Sequence, residues 1–418
     1  MAFTAETYQN EFLAAGGSEI HAIVTVSSSS VEPSSAVEAA EIVIVDASGS
    51  MAGQKLEAAR QATGAAIDCI RHGVAFGVIA GTDEARLIYP SDGGLAGASE
   101  STREEAKAAV RHLDAGGGTA IGTWLTCAAE LFEAAPDRVR HAILLTDGKD
   151  ESESPSELDA ALAECEGRFQ CDCRGVGTDW EVSELRRVAS MLLGTVDIVA
   201  EPSGLEADFR AMVEHAMARQ TPDVALRLWT PRGAEVLFVK QVSPEVDELT
   251  GRGSPHDPLT VDYPTGAWGG ESRDYHVAVR VAPREVGEEM LAGRISLVIG
   301  AEIVCQALVR AVWTEDEQLS TRISPEVAHY SGQAELAETI RDGLEARKAG
   351  DEHTATLLLG RAVKLAAESG NDGTLQLLEQ VVDVEDPASG TVHLKAHGAD
   401  ADEMALDTRS TRSIRVQR

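Results

Sequence analysis

The chain has 418 residues, 43% of them hydrophobic and 25% charged. That composition excludes global disorder and suits two or three folded domains. Asp plus Glu number 69 against 36 Lys plus Arg, a formal charge of −33. So acidic a body argues against nucleic-acid and anionic-membrane partners and favours cationic ones, metal ions included.

The first 40 residues hold one strand-like run, Ile20 to Ser27, and then a Ser/Pro-rich stretch, SSSSVEPSSA at 27–36, that reads as a linker. From 41 to 220 strand and helix patterns alternate. EIVIV (41–45), VAFGVIA (74–80), HAILLT (141–146) and QCDCRGV (170–176) are near-continuous apolar or β-branched strands, and Leu56, Ala59, Thr63, Ala66 and Ile70 mark a helix face. Thr102 with Glu105, and Ser154 with Glu157, read as capping boxes. This pattern predicts an α/β fold with a doubly wound, mostly parallel sheet. From 221 to 315 period-two alternation and Gly/Pro punctuation predict an antiparallel β-sandwich, which the strand at 20–27 is expected to join. A helical segment follows over 325–382. The remainder, 383–418, turns polar and ends in RSTRSIRVQR, which predicts a flexible tail, basic at its end.

The six cysteines (69, 127, 165, 171, 173 and 305) sit in apolar or helical stretches, poor material for a disulfide framework. Cys171 and Cys173 alternate on a strand, which suits core packing better than metal binding. The opening MAFTAETYQNEF has no basic or apolar leader pattern, and the most apolar stretch, Ile295 to Trp313, is broken by Glu302 and Arg310. The expectation is a cytoplasmic protein without a membrane span.

Chemistry concentrates where the first α/β strand runs into Asp46-Ala47-Ser48-Gly49-Ser50. In open parallel sheets ligands bind beyond the carboxyl ends of the strands. Gly116-Gly117-Gly118-Thr119 and the strand ending in Asp147-Gly148 should deliver their side chains to the same edge. Asp46, Ser48, Ser50, Thr119 and Asp147 would then surround a hard divalent cation such as Mg²⁺, with Mn²⁺ or Ca²⁺ as alternatives. GSMAGQK at 49–55 fails the phosphate-binding loop pattern, because its lysine is neither preceded by Gly nor followed by Ser or Thr. The acidic run Asp150–Glu153 reads as a solvated loop.

DASGS, then GGGT, then LLTDG resembles a von Willebrand factor type A (VWA) domain with a metal-ion-dependent adhesion site, of the bacterial intracellular type. The resemblance covers roughly residues 41–219. It implies that Ser48, Ser50 and Thr119 bind the metal directly, and that Asp46 and Asp147 act largely through water. It also implies a scaffold or adaptor module that grips a protein partner whose Asp or Glu completes the coordination. No nucleophile, and no His or Lys base, can be named beside the cluster, so the chain is not expected to be an enzyme. A metal-dependent hydrolase or phosphatase, or an accessory subunit of a separate ATPase or chelatase-like complex, is the alternative. Thr408 and Thr411, among the arginines of the tail, are candidate phosphorylation or docking sites for a phosphothreonine-reading domain.

Overall fold

A computed structural model describes residues 2–29, 38–136, 138–395 and 400–416. The chain splits into two compact units, Glu32–Asp223 with Gly266–Gly269, and Met1–Val31 with Val224–Thr265 and Gly270–Arg418. The chain opens with β1 (Ala2–Gln9), β2 (Phe12–Ala14) and β3 (Glu19–Ser29), which belong to the second of these. Of the expected linker, residues 27–29 are part of β3 and the rest lies outside the described residues.

The unit that carries the DASGS loop comprises β4 (Ala39–Asp46), α1 (Gln54–Cys69), β5 (Ala75–Gly81), β6 (Ala85–Tyr89), β7 (Ala96–Gly97), α2 (Glu100–Arg111), α3 (Ile121–Phe132), β8 (Val139–Thr146), α4 (Pro155–Cys165), β9 (Gln170–Val176), α5 (Val182–Met191), β10 (Val196–Val199) and α6 (Leu205–Ala218). The sheet order is β10-β9-β8-β4-β5-β6, with β7 beside β5. All neighbours are parallel except β6 and β7, which run antiparallel to β5. The fold is the doubly wound, mostly parallel α/β sheet that the sequence pattern predicts. β4 is buried at every position because helices cover both faces, which is why its sequence is a run and not an alternation. Val43 and Val45 enter a core with Leu56, Ala59 and Ala66 of α1, Val110 of α2, and Phe209 and Val213 of α6. Ile42 and Ile44 point the other way, to the side where α3 packs on α4 and α4 on α5. The box that caps α2 is Ser99 with Thr102, three residues ahead of the expected pair, because the Thr102 hydroxyl accepts the Ser99 N–H at 2.7 Å. At α4 the box is Ser154 with Glu157.

The strands that follow are β11 (Thr221–Trp229), β12 (Glu235–Ser243), β13 (Asp247–Glu248), β14 (Ser254–Asp257), β15 (Thr260–Trp268), β16 (Ser272–Arg280), β17 (Glu289–Ile299) and β18 (Glu302–Thr314), all of the other unit but for the start of β11 and the end of β15. They form two sheets with the N-terminal strands, in the orders β1-β3-β16-β12-β13 and β14-β15-β11-β17-β18-β2. β3 pairs with β16 from Ile20 opposite Val279 to Ser27 opposite Ser272, and Ala22, Val24, Tyr275 and Val277 are buried along this pairing. A short α7 (Glu317–Ser320) leads to α8 (Pro325–Lys348), α9 (Glu352–Ser369) and α10 (Asp372–Val381), whose core is Leu336, Ile340, Leu359, Val363 and Leu378.

The described residues of 383–416 do not form the flexible tail that their polarity suggested. β19 (Val382–Asp386) and β20 (Thr391–Leu394) form a hairpin, α11 (Asp400–Arg409) follows, and Val392 and Leu406 enter the helical core. A few well-placed apolar side chains anchor an otherwise polar stretch. Beyond α11, Arg415 donates to the buried Asp274 carboxylate at 3.1 Å, and Val416 packs on Ile23, Val242 and Tyr330. Thr408 is buried and its hydroxyl donates to the Met404 carbonyl at 2.8 Å, while the half-buried Thr411 accepts the Val246 N–H at 2.7 Å through its carbonyl. Neither threonine lies on a free tail. Among the described residues, no helix is long and apolar enough to cross a membrane.

Candidate metal centre

β4 delivers Asp46 to the carboxyl edge of the sheet, where it is fully buried. Its Oδ1 accepts the Ser48 backbone N–H at 2.7 Å, an Asx-type bond that curls the loop into the 3-10 turn Gly49–Met51. Its Oδ2 accepts the Thr146 hydroxyl at 2.6 Å, tying the end of β4 to the end of β8. The curl sets Ser48 Oγ 3.0 Å from Ser50 Oγ, and Ser50 donates to Asp147 Oδ1 at 2.6 Å. Asp46, Ser48, Ser50 and Asp147 are therefore one hydrogen-bonded chain.

Thr119 arrives from a third loop. The Gly49 N–H donates to the Gly117 carbonyl at 3.0 Å and the Gly116 N–H to the Ala47 carbonyl at 2.8 Å, so the glycine loop is stitched to the DASGS loop through backbone alone. Gly117 has φ +84°, and a Cβ there would lie 2.9 Å from Asp83 Oδ2, so the position requires glycine. Asp83 Oδ1 accepts the Gly118 N–H at 2.8 Å and the Ser152 hydroxyl at 2.9 Å, and Ser152 Oγ accepts the Thr119 N–H at 3.1 Å. Thr119 does not hydrogen bond to the other four. Its hydroxyl faces them across Gly148: a Cβ on Gly148 would sit 3.4 Å from Ser50 Oγ and 3.6 Å from Thr119 Oγ1. The five residues chosen from the sequence are thus neighbours at one sheet edge: four are linked by hydrogen bonds, and Thr119 and Ser50 both flank Gly148.

Lys55, in the first turn of α1, was missed. Its Nζ lies 2.5 Å from Asp147 Oδ2 and 3.3 Å from Asp179 Oδ2. Burial works to lower the ammonium's pKa, but the hydrogen bond and charge of Asp147 raise it above the ordinary lysine value. Lys55 is thus ion-paired with both carboxylates. Burial pushes the Asp46 carboxyl above its usual range, against the hydrogen bonds from Ser48 and Thr146. The sequence signal for Lys55 was its place just after the loop, which the failed phosphate-loop pattern obscured. Thr146 was hidden as the last residue of an apolar strand. The acidic run is not simply solvated: Glu153 accepts the Gly122 N–H at 2.5 Å, and burial, then Glu153, pushes the half-buried Asp150 carboxyl up to about 9.

Among the described residues, no group of three or more His, Cys, Asp or Glu side chains is placed to hold a metal, and Cys165, Cys171 and Cys173 are free and buried. The donor set at the DASGS loop is of another kind, three hydroxyls with two carboxylates behind them.

Residues 40–198 match the von Willebrand factor type A domain model, and residues 364–410 match the von Willebrand factor type A C-terminal domain model. The structure is similar to that of a von Willebrand factor type A protein from Catenulispora acidiphila, with 50% identity and a TM-score of 0.95 over 99% of this chain and 97% of that one. The ArnB paralog VWA2 from Sulfolobus acidocaldarius shares the fold at 15% identity, with a TM-score of 0.63 over 98% of each chain. An uncharacterized protein of Synechocystis sp. is 29% identical over 213 residues, which are 50% of this chain and 49% of that protein, so the chain spans about half the length of the curated relative it matches. With its two matched regions and the full-length likeness at 50% identity, the chain belongs to the von Willebrand factor type A family.

Proposed function

We propose that this protein binds a divalent cation at the DASGS edge and uses it to capture a protein partner through an Asp or Glu of that partner. One observation carries the reading: Ser50 and Thr119, from loops 69 residues apart, bring their hydroxyl oxygens to 3.4 and 3.6 Å from one and the same Cβ position on Gly148. Ser48, Ser50 and Thr119 would hold the ion, with Asp46 and Asp147 bearing on it through their hydrogen-bonded neighbours. An all-oxygen set of this kind fits Mg²⁺, with Mn²⁺ or Ca²⁺ as substitutes. When bound, the ion supplies an electrophilic centre that accepts an anionic oxygen. The chain's own residues do the rest. Asp46 fixes the loop through Ser48 and β8 through Thr146, so the hydroxyls are pre-positioned and little ordering remains to oppose binding. The exposed Ser50 leaves the edge accessible from solvent.

Coordination, not bond-breaking, is the proposed role: the named residues of the cluster include no histidine or activated nucleophile, and Lys55 is engaged by Asp147 and Asp179. A cytoplasmic setting suits the six free cysteines. The test is calorimetric titration of Mg²⁺ into the full chain and into Asp46→Ala, followed by partner capture from the native cell with and without chelator. The expected result is saturable binding that Asp46→Ala abolishes while the melting transition survives. Equal Mg²⁺ affinity in the two proteins defeats the site assignment. Phosphoester turnover that disappears in Asp46→Ala would make the hydrolase reading the better one.

A further inference from the structure

The cation on the edge of this centre has a consequence for what the centre selects. Lys55 Nζ holds Asp147 Oδ2 at 2.5 Å, while Asp147 Oδ1 accepts from Ser50 at 2.6 Å. Asp147 is completely buried and the Lys55 side chain is 27% exposed, so the contact is sheltered and only weakly screened. The second partner of Lys55, Asp179, is 75% exposed and lies on the solvent side. The ammonium is therefore held between a buried carboxylate inside the centre and a solvated one outside it.

We propose that Lys55 is a specificity-determining residue, a built-in counter-cation that weakens metal binding in the free protein and makes the metal-loaded centre demand an anionic ligand. The inference rests on the cation-binding reading above. The charge count within the centre, leaving the exposed and solvent-screened Asp179 outside it, gives the reason. Asp46 and Asp147 bring two negative charges and Lys55 one positive. A divalent ion then leaves the centre with a net positive charge that a single carboxylate balances. Without Lys55 the two aspartates alone would neutralise the ion, and an incoming carboxylate would gain less. Affinity for the metal is exchanged for affinity for the acidic partner group.

The experiment uses the full chain, Lys55→Met and Lys55→Arg, with Mg²⁺ alone by calorimetry. Acetate is then titrated into each Mn²⁺-loaded protein and followed by water-proton relaxation. Lys55→Met should bind Mg²⁺ about tenfold tighter than wild type and need several-fold more acetate to displace water from Mn²⁺. Lys55→Arg keeps the charge and should track wild type. A purely structural role for Lys55 would instead weaken metal binding in Lys55→Met. Equal or weaker Mg²⁺ affinity in Lys55→Met, or a Lys55→Arg that behaves like it, overturns the proposal while leaving the metal centre standing. A wild-type chain that binds no Mg²⁺ at all overturns the centre itself, and Lys55's role with it.

Discussion

The same strands carry buried charge at both ends, and the two ends treat it differently. At the amino ends, Glu41 of β4, His141 of β8 and Asp172 of β9 form a row. His141 Nδ1 lies 2.8 Å from Glu41 Oε1 and its Nε2 2.9 Å from Asp172 Oδ2. Asp172 Oδ1 also accepts from the Thr195 N–H and hydroxyl at 2.7 and 2.8 Å. Burial works to lower the His141 pKa, but Glu41 and then Asp172 push it up to about 9. Burial likewise works to raise Asp172, but His141, Arg219 and Arg174 hold its carboxyl far below the usual range. At the carboxyl ends, Asp46 and Asp147 are just as buried, but their partners are hydroxyls, a backbone N–H and one half-exposed lysine. Buried carboxylates that bring their own cations make a staple. Buried carboxylates that mostly hold hydroxyls in place are the arrangement that suits the cation proposed above.

The largest way to break this contrast is to remove the cation from the closed end. His141→Leu strips the shared imidazolium from two buried carboxylates. Breaking such a group should cost about 3–5 kcal/mol of stability in urea unfolding. The Mg²⁺ affinity of the folded protein should not change, because the altered group is at the other end of the strand. A loss below about 1 kcal/mol would mean that Arg174 and Arg219 already balance the row and that the imidazolium is incidental.

The pH dependence sharpens the same point. A histidine whose folded pKa is raised stabilises fully below its unfolded value, near 6.5, and loses that contribution as pH rises through its folded value. For His141 the window is pH 6.5 to about 9. His21 and His276 are held low, by burial first, so their effect falls below pH 6.5 and does not overlap. Asp150, whose carboxyl burial and then Glu153 push up to about 9, adds a decline of the same sign over this window, so the wild-type melting temperature should fall across pH 6.5 to 9 and His141→Leu should show a flatter profile that still slopes. Parallel profiles would remove His141 from the account.

Much of this was legible along the chain, for a physical reason. Each part of the metal-site pattern follows a strand or loop whose own signal is strong: EIVIV before Asp46, three glycines before Thr119, HAILLT before Asp147. Residues that act through register were not legible. Glu41 sits opposite His141 only because β4 and β8 pair in that register, and the sequence offers each as an odd polar residue at a strand end. Lys55 reaches across from α1 to the end of β8, a contact over 92 positions that no local pattern encodes. β1, with its exposed and half-buried alternation, and the segment after 383, anchored by scattered Val and Leu, carry too little apolar area for periodicity to reveal.

At the open end the hydroxyl of Thr146 is the most directly tested support. Thr146→Val keeps the shape and removes one hydroxyl donor from a buried carboxylate, so about 1–3 kcal/mol of stability should go. Mg²⁺ binding should weaken as well, because Asp46 loses the bond that holds it to β8. A stability loss with unchanged Mg²⁺ affinity would separate the scaffold from the centre.

The smallest expected effect lies one step further out, at Asp83. This carboxylate touches none of the five candidate ligands through its side chain. It accepts from Gly118 N–H and from Ser152, and Ser152 in turn accepts from Thr119 N–H. Asp83→Ala removes the hub of that relay but leaves the Gly49–Gly117, Gly116–Ala47 and Ser152–Thr119 backbone bonds in place. Stability should fall by about 1 kcal/mol or less, since the group is near the surface and its donors can turn to water. Mg²⁺ affinity should fall by a few-fold, because Thr119 then samples more positions and ordering it opposes binding. Mn²⁺ should suffer the same few-fold loss, as the change is in loop order and not in the donor set. Unaltered affinity for both ions would mean that the backbone bonds alone hold Thr119 in register, and that the open end is as rigidly built as the closed one.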